Sequence, residues 1–313
     1  MVNPLLTRVY NKTVDNFTTD FGIKFRRVIG KPFRFVLRKA TKRKVIIDSY
    51  PKLKKDETYI FVSNHSFDED IVSGLGNIDR NAWLLNGSTH QLKYNSQMYA
   101  AWVNGMIYVN RISDKSRKDS VKKMLRILNN KSSIFMFPEG GWNNTENLLM
   151  QPLFSGPWIL AKETGCKVVP FVSFNEHDDR NIYIRVADPL DIGSMEKEKA
   201  LTILRDQMAT MIWKIMEEHC EIADRSQLSY ERFMDERRRE YMHAKWRADV
   251  WDEELTFYHD KNHPLPQKIR EFVDNVNITV DNAWILAPIL VQREIDKKHD
   301  FTAYMHENWD KDN

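Results

Sequence analysis
Seven short apolar runs rich in Val, Ile, Phe and Tyr, at 45–47, 59–63, 82–86, 106–110, 133–137, 167–174 and 181–186, alternate with longer polar or amphipathic stretches. This alternation narrows the fold most, because apolar runs of about 4 to 8 residues suit strands and the stretches between them suit helices. It predicts an α/β domain, a central β-sheet flanked by helices. The clearest helix is expected over 114–129, where Val121, Met124, Leu125 and Leu128 recur at helical spacing and Ser113 offers an N-cap. A second is expected over 197–218, burying Leu201, Leu204, Met208, Met211, Ile212 and Ile215 by the same spacing.

With 313 residues, 42% of them hydrophobic, the chain is long enough to bury a core without disulfides or a structural metal. Its two cysteines, Cys166 and Cys220, form no disulfide framework, and no signal-peptide pattern opens the sequence. A cytoplasmic protein is expected. The longest apolar run, 283–291, is broken by Pro288 and is about half of the roughly 20 residues a membrane-spanning helix needs. No such helix is expected.

Charge is distributed unevenly. Residues 1–47 hold twelve Lys and Arg against Asp15 and Asp20, whereas residues 226–313 hold 13 Lys and Arg against 18 Asp and Glu. Between residues 21 and 45 the cations are interleaved with Phe21, Ile23, Phe25, Val28, Ile29, Phe33, Phe35, Val36 and Leu37. That composition suits basic amphipathic helices over residues 1–44 that lie on an anionic membrane surface. Pro32 is expected to end or kink one helix and start another. Two other readings of the segment are a cap packed on the core and a nucleic-acid contact; no nucleic-acid module is present, which disfavours the latter. Residues 45–222 then form the α/β domain. Residues 223–313 read as a helical extension, with Tyr230, Phe233, Tyr241, Trp246, Val250, Trp251 and Tyr258 as its candidate buried positions.

Chemistry enters at Asn64-His65-Ser66-Phe67-Asp68-Glu69-Asp70, directly after the run at 59–63. Loops at strand C-terminal ends are where open α/β sheets place their ligands. Ser66 and Glu69 have capping-box spacing, so a helix is expected to start at Ser66. His65 and Asp70 would then occupy positions whose side chains meet across a helix start. A carboxylate there fixes the imidazole tautomer and leaves the other ring nitrogen free to take a proton from a hydroxyl. Asp68 and Glu69 read as first-turn residues favoured by the helix dipole, and Asn64 as ordering the turn.

The run at 133–137 ends in Pro138-Glu139-Gly140-Gly141, which presents the Glu139 carboxylate beside glycines that let a ligand approach the backbone. The run at 106–110 is followed by Arg111, whose planar guanidinium suits a phosphate. His219 beside Cys220 has no further ligands at zinc spacing and reads as structural. Arg237-Arg238-Arg239 reads as a solvated face. No P-loop, dinucleotide fingerprint or paired-metal carboxylate motif is present.

Taken together, four segments resemble the blocks of the glycerolipid acyltransferase family, over roughly residues 40–195. Block I, NH-x4-D, is matched by Asn64, His65 and Asp70. Block II, Gly-x-Ile-Phe-Ile-x-Arg, is similar to the stretch from Gly105 to Arg111. Block III, Phe-Pro-Glu-Gly, is Phe137, Pro138, Glu139 and Gly140, and block IV resembles 168–171. The resemblance implies transfer of a fatty acyl group from an acyl thioester, on coenzyme A or acyl carrier protein, to a hydroxyl of a lipid acceptor. It implies His65, Asp70 and Glu139 as catalytic residues and Asn64, Arg111, Gly140, Gly141 and Trp142 as substrate-binding residues. No metal or cofactor beyond the acyl co-substrate is implied. The protein would sit peripherally on the inner face of the membrane.

Where the family continues block III with Thr-Arg-Ser, this chain has Gly141, Trp142 and Asn143. Where the family has Phe-Lys-x-Gly, it has Leu153, Phe154, Ser155 and Gly156. Two cations of the usual phosphate clamp are absent. The acceptor is therefore either a phosphate ester held differently or a lipid with another head group, such as a glycolipid or amino-acid lipid. Trp142, Asn143, Asn144 and Trp158 would suit an uncharged head group. A catalytically silent lipid-binding relative is disfavoured by the intact His65, Asp70 and Glu139.

Overall fold
The computed structural model describes residues 18–67, 69–87, 104–109, 114–141, 143, 148–175 and 180–220, with Glu271, Phe272 and Asn275. Arg111, Trp142, Asn144, Asp68, Ser113, the start of the basic segment and the proposed buried positions of the C-terminal extension lie outside them. The chain divides into two units, Met1–Ile222 and Ala223–Asn313.

In the first unit the described elements are α1 (Asp20–Ala40), β1 (Lys44–Ser49), β2 (Tyr59–Ser63), α2 (Asp70–Asn77), β3 (Ala82–Asn86), β4 (Met106–Tyr108), α3 (Asp114–Asn129), β5 (Ser133–Met136), α4 (Gly156–Thr164), β6 (Lys167–Phe174), β7 (Asn181–Val186) and α5 (Lys197–His219). The strands form one sheet in the order β1-β7-β6-β2-β5-β3-β4. All neighbours are parallel except β6 and β7, which are antiparallel. The α/β architecture expected from the alternation is the one observed.

The central strands are buried on both faces, and their side chains alternate between two core clusters. Ile60, Val62, Ile134, Met136, Val168 and Val172 join Met124, Ile127 and Leu128 of α3, Leu160 of α4 and Leu204, Met208, Ile212 and Ile215 of α5. Tyr59, Phe61, Phe135, Val169 and Phe171 face the other way, with Leu75 of α2 and Ile78. Burial of strands from both sides explains why they read as continuous apolar runs. Helix α4 was not anticipated. Its markers are local ones, Pro157 in its first turn and a left-handed Gly165 at its C-cap.

Pro32 lies inside α1 and neither ends it nor divides it into two helices, contrary to the expectation. The hydrogen bond that proline forgoes would have gone to the carbonyl of Val28, and both residues are on the exposed side of the helix. Water can serve that carbonyl, while Ile23, Gly30 and Arg34 hold the other face against the protein.

Candidate active site
Parallel pairing of β2 with β5 aligns Val62 with Met136, so the segments leaving these two strands emerge side by side at the C-terminal edge of the sheet. One carries Asn64, His65 and Ser66; the other carries Phe137, Pro138, Glu139 and Gly140. They are cross-linked by the Asn143 N–H donating to the His65 carbonyl at 2.8 Å and by the His65 N–H donating to Glu139 Oε1 at 3.2 Å.

The structure brings His65 and Asp70 together, with Nδ1 2.7 Å from Oδ2. The same Oδ2 accepts the backbone N–H groups of Ser66 at 2.9 Å and Phe67 at 3.3 Å. A carboxylate oxygen surrounded in this way is an acceptor, so the bridging proton belongs to His65 Nδ1 and Nε2 carries a lone pair. The imidazole stacks on Phe137 with centroids 4.3 Å apart, which fixes its plane. Its side chain keeps 17% exposure, whereas that of Asp70 keeps 1%. A half-open imidazole is thus backed by a buried carboxyl group.

The local route to this contact differs from the expected capping box. Helix α2 begins at Asp70, not at Ser66. The Glu69 carboxylate accepts the N–H groups of Lys42 and Arg43 at 3.3 and 3.4 Å, tying the end of α1 to the start of α2. Asp70 folds back over the 66–67 turn and takes the Ser66 N–H that a capping box would have used, together with the Phe67 N–H. Those two donors are therefore committed and do not face a substrate.

Glu139 was expected to stand open at a strand end. It is fully buried. Oε1 accepts from the His65 N–H and Oε2 from the Gln151 N–H at 2.8 Å, so the carboxyl joins the histidine loop to the segment around Gln151. Burial is the main cause that pushes its pKa up to about 7, opposed by these two N–H groups and reinforced by the nearby Asp70 charge. The structure gives Glu139 a positioning place rather than one that touches substrate. Gln151 acts through its backbone, so no side-chain signal in the sequence marked it.

Asn64, expected to contact substrate, is also buried and committed. Its side-chain oxygen accepts the Ser173 N–H at 2.9 Å, and its amide donates to the Ser173 carbonyl at 2.8 Å and to Ser66 Oγ at 3.2 Å. The side chain adds one more rung between β2 and β6 just beyond Ser63. Trp158, considered for a head group, donates its indole N–H to the Met195 carbonyl at 3.0 Å and packs against the core, so it is structural. Asn143 is occupied by His65 and by the Leu148 carbonyl, to which its amide donates at 2.8 Å. Gly140 has φ 78°, a left-handed conformation that turns the chain after Glu139 and favours glycine. Gly141 is buried, and its N–H makes no hydrogen bond among the described residues.

The family described as Acyltransferase matches residues 44–173, from the first residue of β1 almost to the end of β6. The matched stretch resembles an acyltransferase domain. It contains His65, Asp70 and Glu139. Among curated proteins the chain is similar to a 1-acyl-sn-glycerol-3-phosphate acyltransferase of Haemophilus influenzae, 27% identical over 106 residues, 31% of this chain and 43% of the relative. A protein of the same name from Borreliella burgdorferi is 29% identical over 119 residues, 34% of this chain and 47% of the relative. The matched stretch thus spans less than half of each relative. Among solved structures, the 1-acyl-sn-glycerophosphate (LPA) acyltransferase PlsC from Thermotoga maritima superposes with a TM-score of 0.50 at 15% identity, covering 64% of this chain and 84% of that one. Over that part the chain shares its fold with that enzyme.

Proposed function
We propose that the protein transfers a fatty acyl group from an acyl thioester, on coenzyme A or acyl carrier protein, to a hydroxyl of a glycerolipid acceptor. The observation that carries the reading is the 2.7 Å bond between His65 Nδ1 and the buried Asp70, set in the stretch that matches the Acyltransferase family and leaving Nε2 as a base. His65 Nε2 takes the acceptor's hydroxyl proton as that oxygen attacks the thioester carbonyl. A C–O bond forms, the carbonyl oxygen becomes an oxyanion, the C–S bond breaks, and the imidazolium returns its proton to the departing thiolate. Asp70 balances the imidazolium. The uncommitted Gly141 N–H is the donor assigned to the oxyanion, in place of the helix-start N–H groups that Asp70 occupies.

The named relatives favour a 1-acylglycerol-3-phosphate acceptor, and we assign its phosphate to Arg111. One observation favours a second reading, an acceptor without a phosphate. The position aligned with the lysine of the family's Phe-Lys-x-Gly segment is Phe154, which is exposed and offers no charge. Mass spectrometry of products from a panel of acyl donors and lyso-acceptors separates them. Turnover of the phosphate ester, with an acceptor KM that rises in Arg111→Ala, supports the first reading. An unmoved KM together with turnover of an uncharged acceptor supports the second, in which Trp142→Ala is the more damaging change. Absence of acyl transfer to every acceptor, by purified protein, sinks both.

The acceptor resides in a bilayer, and among the described residues no helix is long and apolar enough to cross a membrane. We assign docking on an anionic membrane surface to α1, whose exposed Phe21, Phe25, Val28 and Phe35 are flanked by Lys24, Lys31 and Lys39.

A further inference from the structure
Helix α1 runs back along α2. The Lys42 and Arg43 N–H groups meet Glu69 at one end, a Cβ on Gly76 would lie 3.2 Å from the backbone and Cγ of Arg38, and a Cβ on Gly30 would lie 2.6 Å from Asn81. Arg34, midway between residues 30 and 38, is therefore held over the C-terminal end of α2 and the Asp79-Arg80 turn. It keeps only 9% exposure, yet it makes no hydrogen bond or ion pair among the described residues. Its nitrogens are not among the side-chain atoms sealed from solvent, so a solute can reach them.

The charges acting on Arg34 are two further cations, Arg38 and Arg80, and one anion, Asp79. That anion is already spent. Both Asp79 oxygens are gripped by Arg80, at 2.8 Å from Nε and 2.9 Å from Nη2, while Arg80 Nη1 donates to the carbonyls of Lys54 and Glu57. Tyr50 closes the cluster. Its hydroxyl oxygen accepts the Asp79 N–H at 2.9 Å, and burial, with Asp79 nearby, raises its pKa and keeps it a neutral phenol with a proton to donate. The carbonyl end of α2 offsets part of the Arg34 charge, but none of its carbonyls bonds the guanidinium. Three cations beside one neutralised carboxylate, with two guanidinium forks and a hydroxyl still unused, are a receptor for a multiply charged oxyanion.

We propose that Arg34, Arg38 and Tyr50 form a binding site for a phosphate group, separate from the acyl-transfer site. The site lies at the far end of α2 from Asp70, seven residues on, about 10 Å of helix and more than a glycerol backbone spans. The phosphate bound there is therefore not that of an acceptor positioned on His65. Its source is either the head group of an anionic lipid under α1 or a soluble phosphate compound; the recognising chemistry is the same.

The test is thermal unfolding of the full chain in millimolar inorganic phosphate against chloride at matched ionic strength. Phosphate is expected to raise the unfolding midpoint of wild type and, equally, of Arg111→Gln and Lys31→Gln. It is expected to raise that of Arg38→Gln and Arg34→Gln by less than half as much. Arg38 is exposed, so its substitution leaves packing intact should Arg34→Gln fold poorly. No phosphate effect in wild type, or an undiminished one in Arg38→Gln, overturns the site. So does an equal loss in Lys31→Gln, which would reduce the effect to diffuse charge on the helix. Flotation with phosphatidylcholine vesicles containing phosphatidylglycerol then identifies the source. Greater loss of binding by Arg38→Gln than by Lys31→Gln indicates the lipid, and equal binding with a lost phosphate response indicates the soluble compound.

Discussion

Asp70 Oδ2 receives three donors, from His65, Ser66 and Phe67, while Oδ1 is buried without a partner. Asp70→Asn can therefore keep its one oxygen where the donors converge and place its NH2 where Oδ1 now makes no bond. The expected outcome is a folded protein whose imidazolium has lost its counter-charge. Transfer should fall by about 10²- to 10⁴-fold, as it should in His65→Ala, with the unfolding midpoint nearly unchanged in the latter. Steady-state kcat measured beside thermal unfolding checks both. Glu139 gives a pH signature of the opposite kind. Its carboxyl is raised from 4.5 to about 7 in the fold, so folding binds a proton in that interval. The stability linked to this proton is complete below 4.5 and is lost as pH rises to about 7, a change of about 3 kcal/mol. Glu139→Gln removes the titration but leaves one of two buried N–H groups unpaired, at a cost of about 1–3 kcal/mol. Urea unfolding of both proteins should show the wild-type advantage shrinking as pH rises through this window; a constant difference would contradict the buried carboxyl. The sequence made the His65–Asp70 pair legible because five residues separate them across one turn. It could not show that Glu139 and Asn64 face inward, because their partners are backbone groups of Gln151 and Ser173, which leave no mark in residue type.

Helix α1 bears out one of the readings its composition allowed, the cap, and leaves membrane docking as a proposal. Phe21, Phe25, Val28, Pro32 and Phe35 recur at alternating steps of four and three along the exposed side, while Ile23, Gly30 and Arg34 pack on the opposite side. It is a cap on the core, and its outward face remains apolar. Arg26 and Arg27 are unsuitable probes of docking, since Arg26 lies over the Trp83 ring and Arg27 bonds the Asn130 carbonyl. Lys24, Lys31 and Lys39 are exposed. Replacing all three with Gln should weaken binding to anionic vesicles by about 3 kcal/mol, about 10²-fold, while sparing transfer to detergent-solubilised acceptor. Phe21→Ser with Val28→Ser should remove the part of binding that survives high salt, where a Debye length of about 3 Å silences the lysines. Equal flotation of wild type with neutral vesicles would assign α1 to the cap alone. The strands were legible because burial on both faces writes itself as unbroken Val, Ile and Phe. Continuity of α1 through Pro32 was not, because it depends on which way the Val28 carbonyl faces, and that is decided by packing.

The two core clusters of described residues draw every member from between Ile23 and Ile215, and the last described strand of their sheet ends at Val186. Among the described residues, apolar burial, the dominant favourable term in folding, lies within the first unit, whose 222 residues suffice to bury roughly 70% of the surface of the unfolded chain. The C-terminal unit is acidic, whereas the first 47 residues are strongly basic. A chain ended at Ile222 should therefore fold on its own and unfold in one cooperative transition. Its candidate active-site residues all lie between Asn64 and Gln151, so it should retain transfer to soluble acceptor within a few-fold of the full chain. Removing the acidic unit also raises net charge, so binding to anionic vesicles should tighten and become more salt-dependent. Circular dichroism with urea, kcat on a detergent-solubilised acceptor, and flotation across a salt series measure the three consequences separately. Loss of the cooperative transition would show that residues 223–313 complete the core. A preserved transition with kcat reduced by more than about 10²-fold would instead place part of the catalytic apparatus in the second unit.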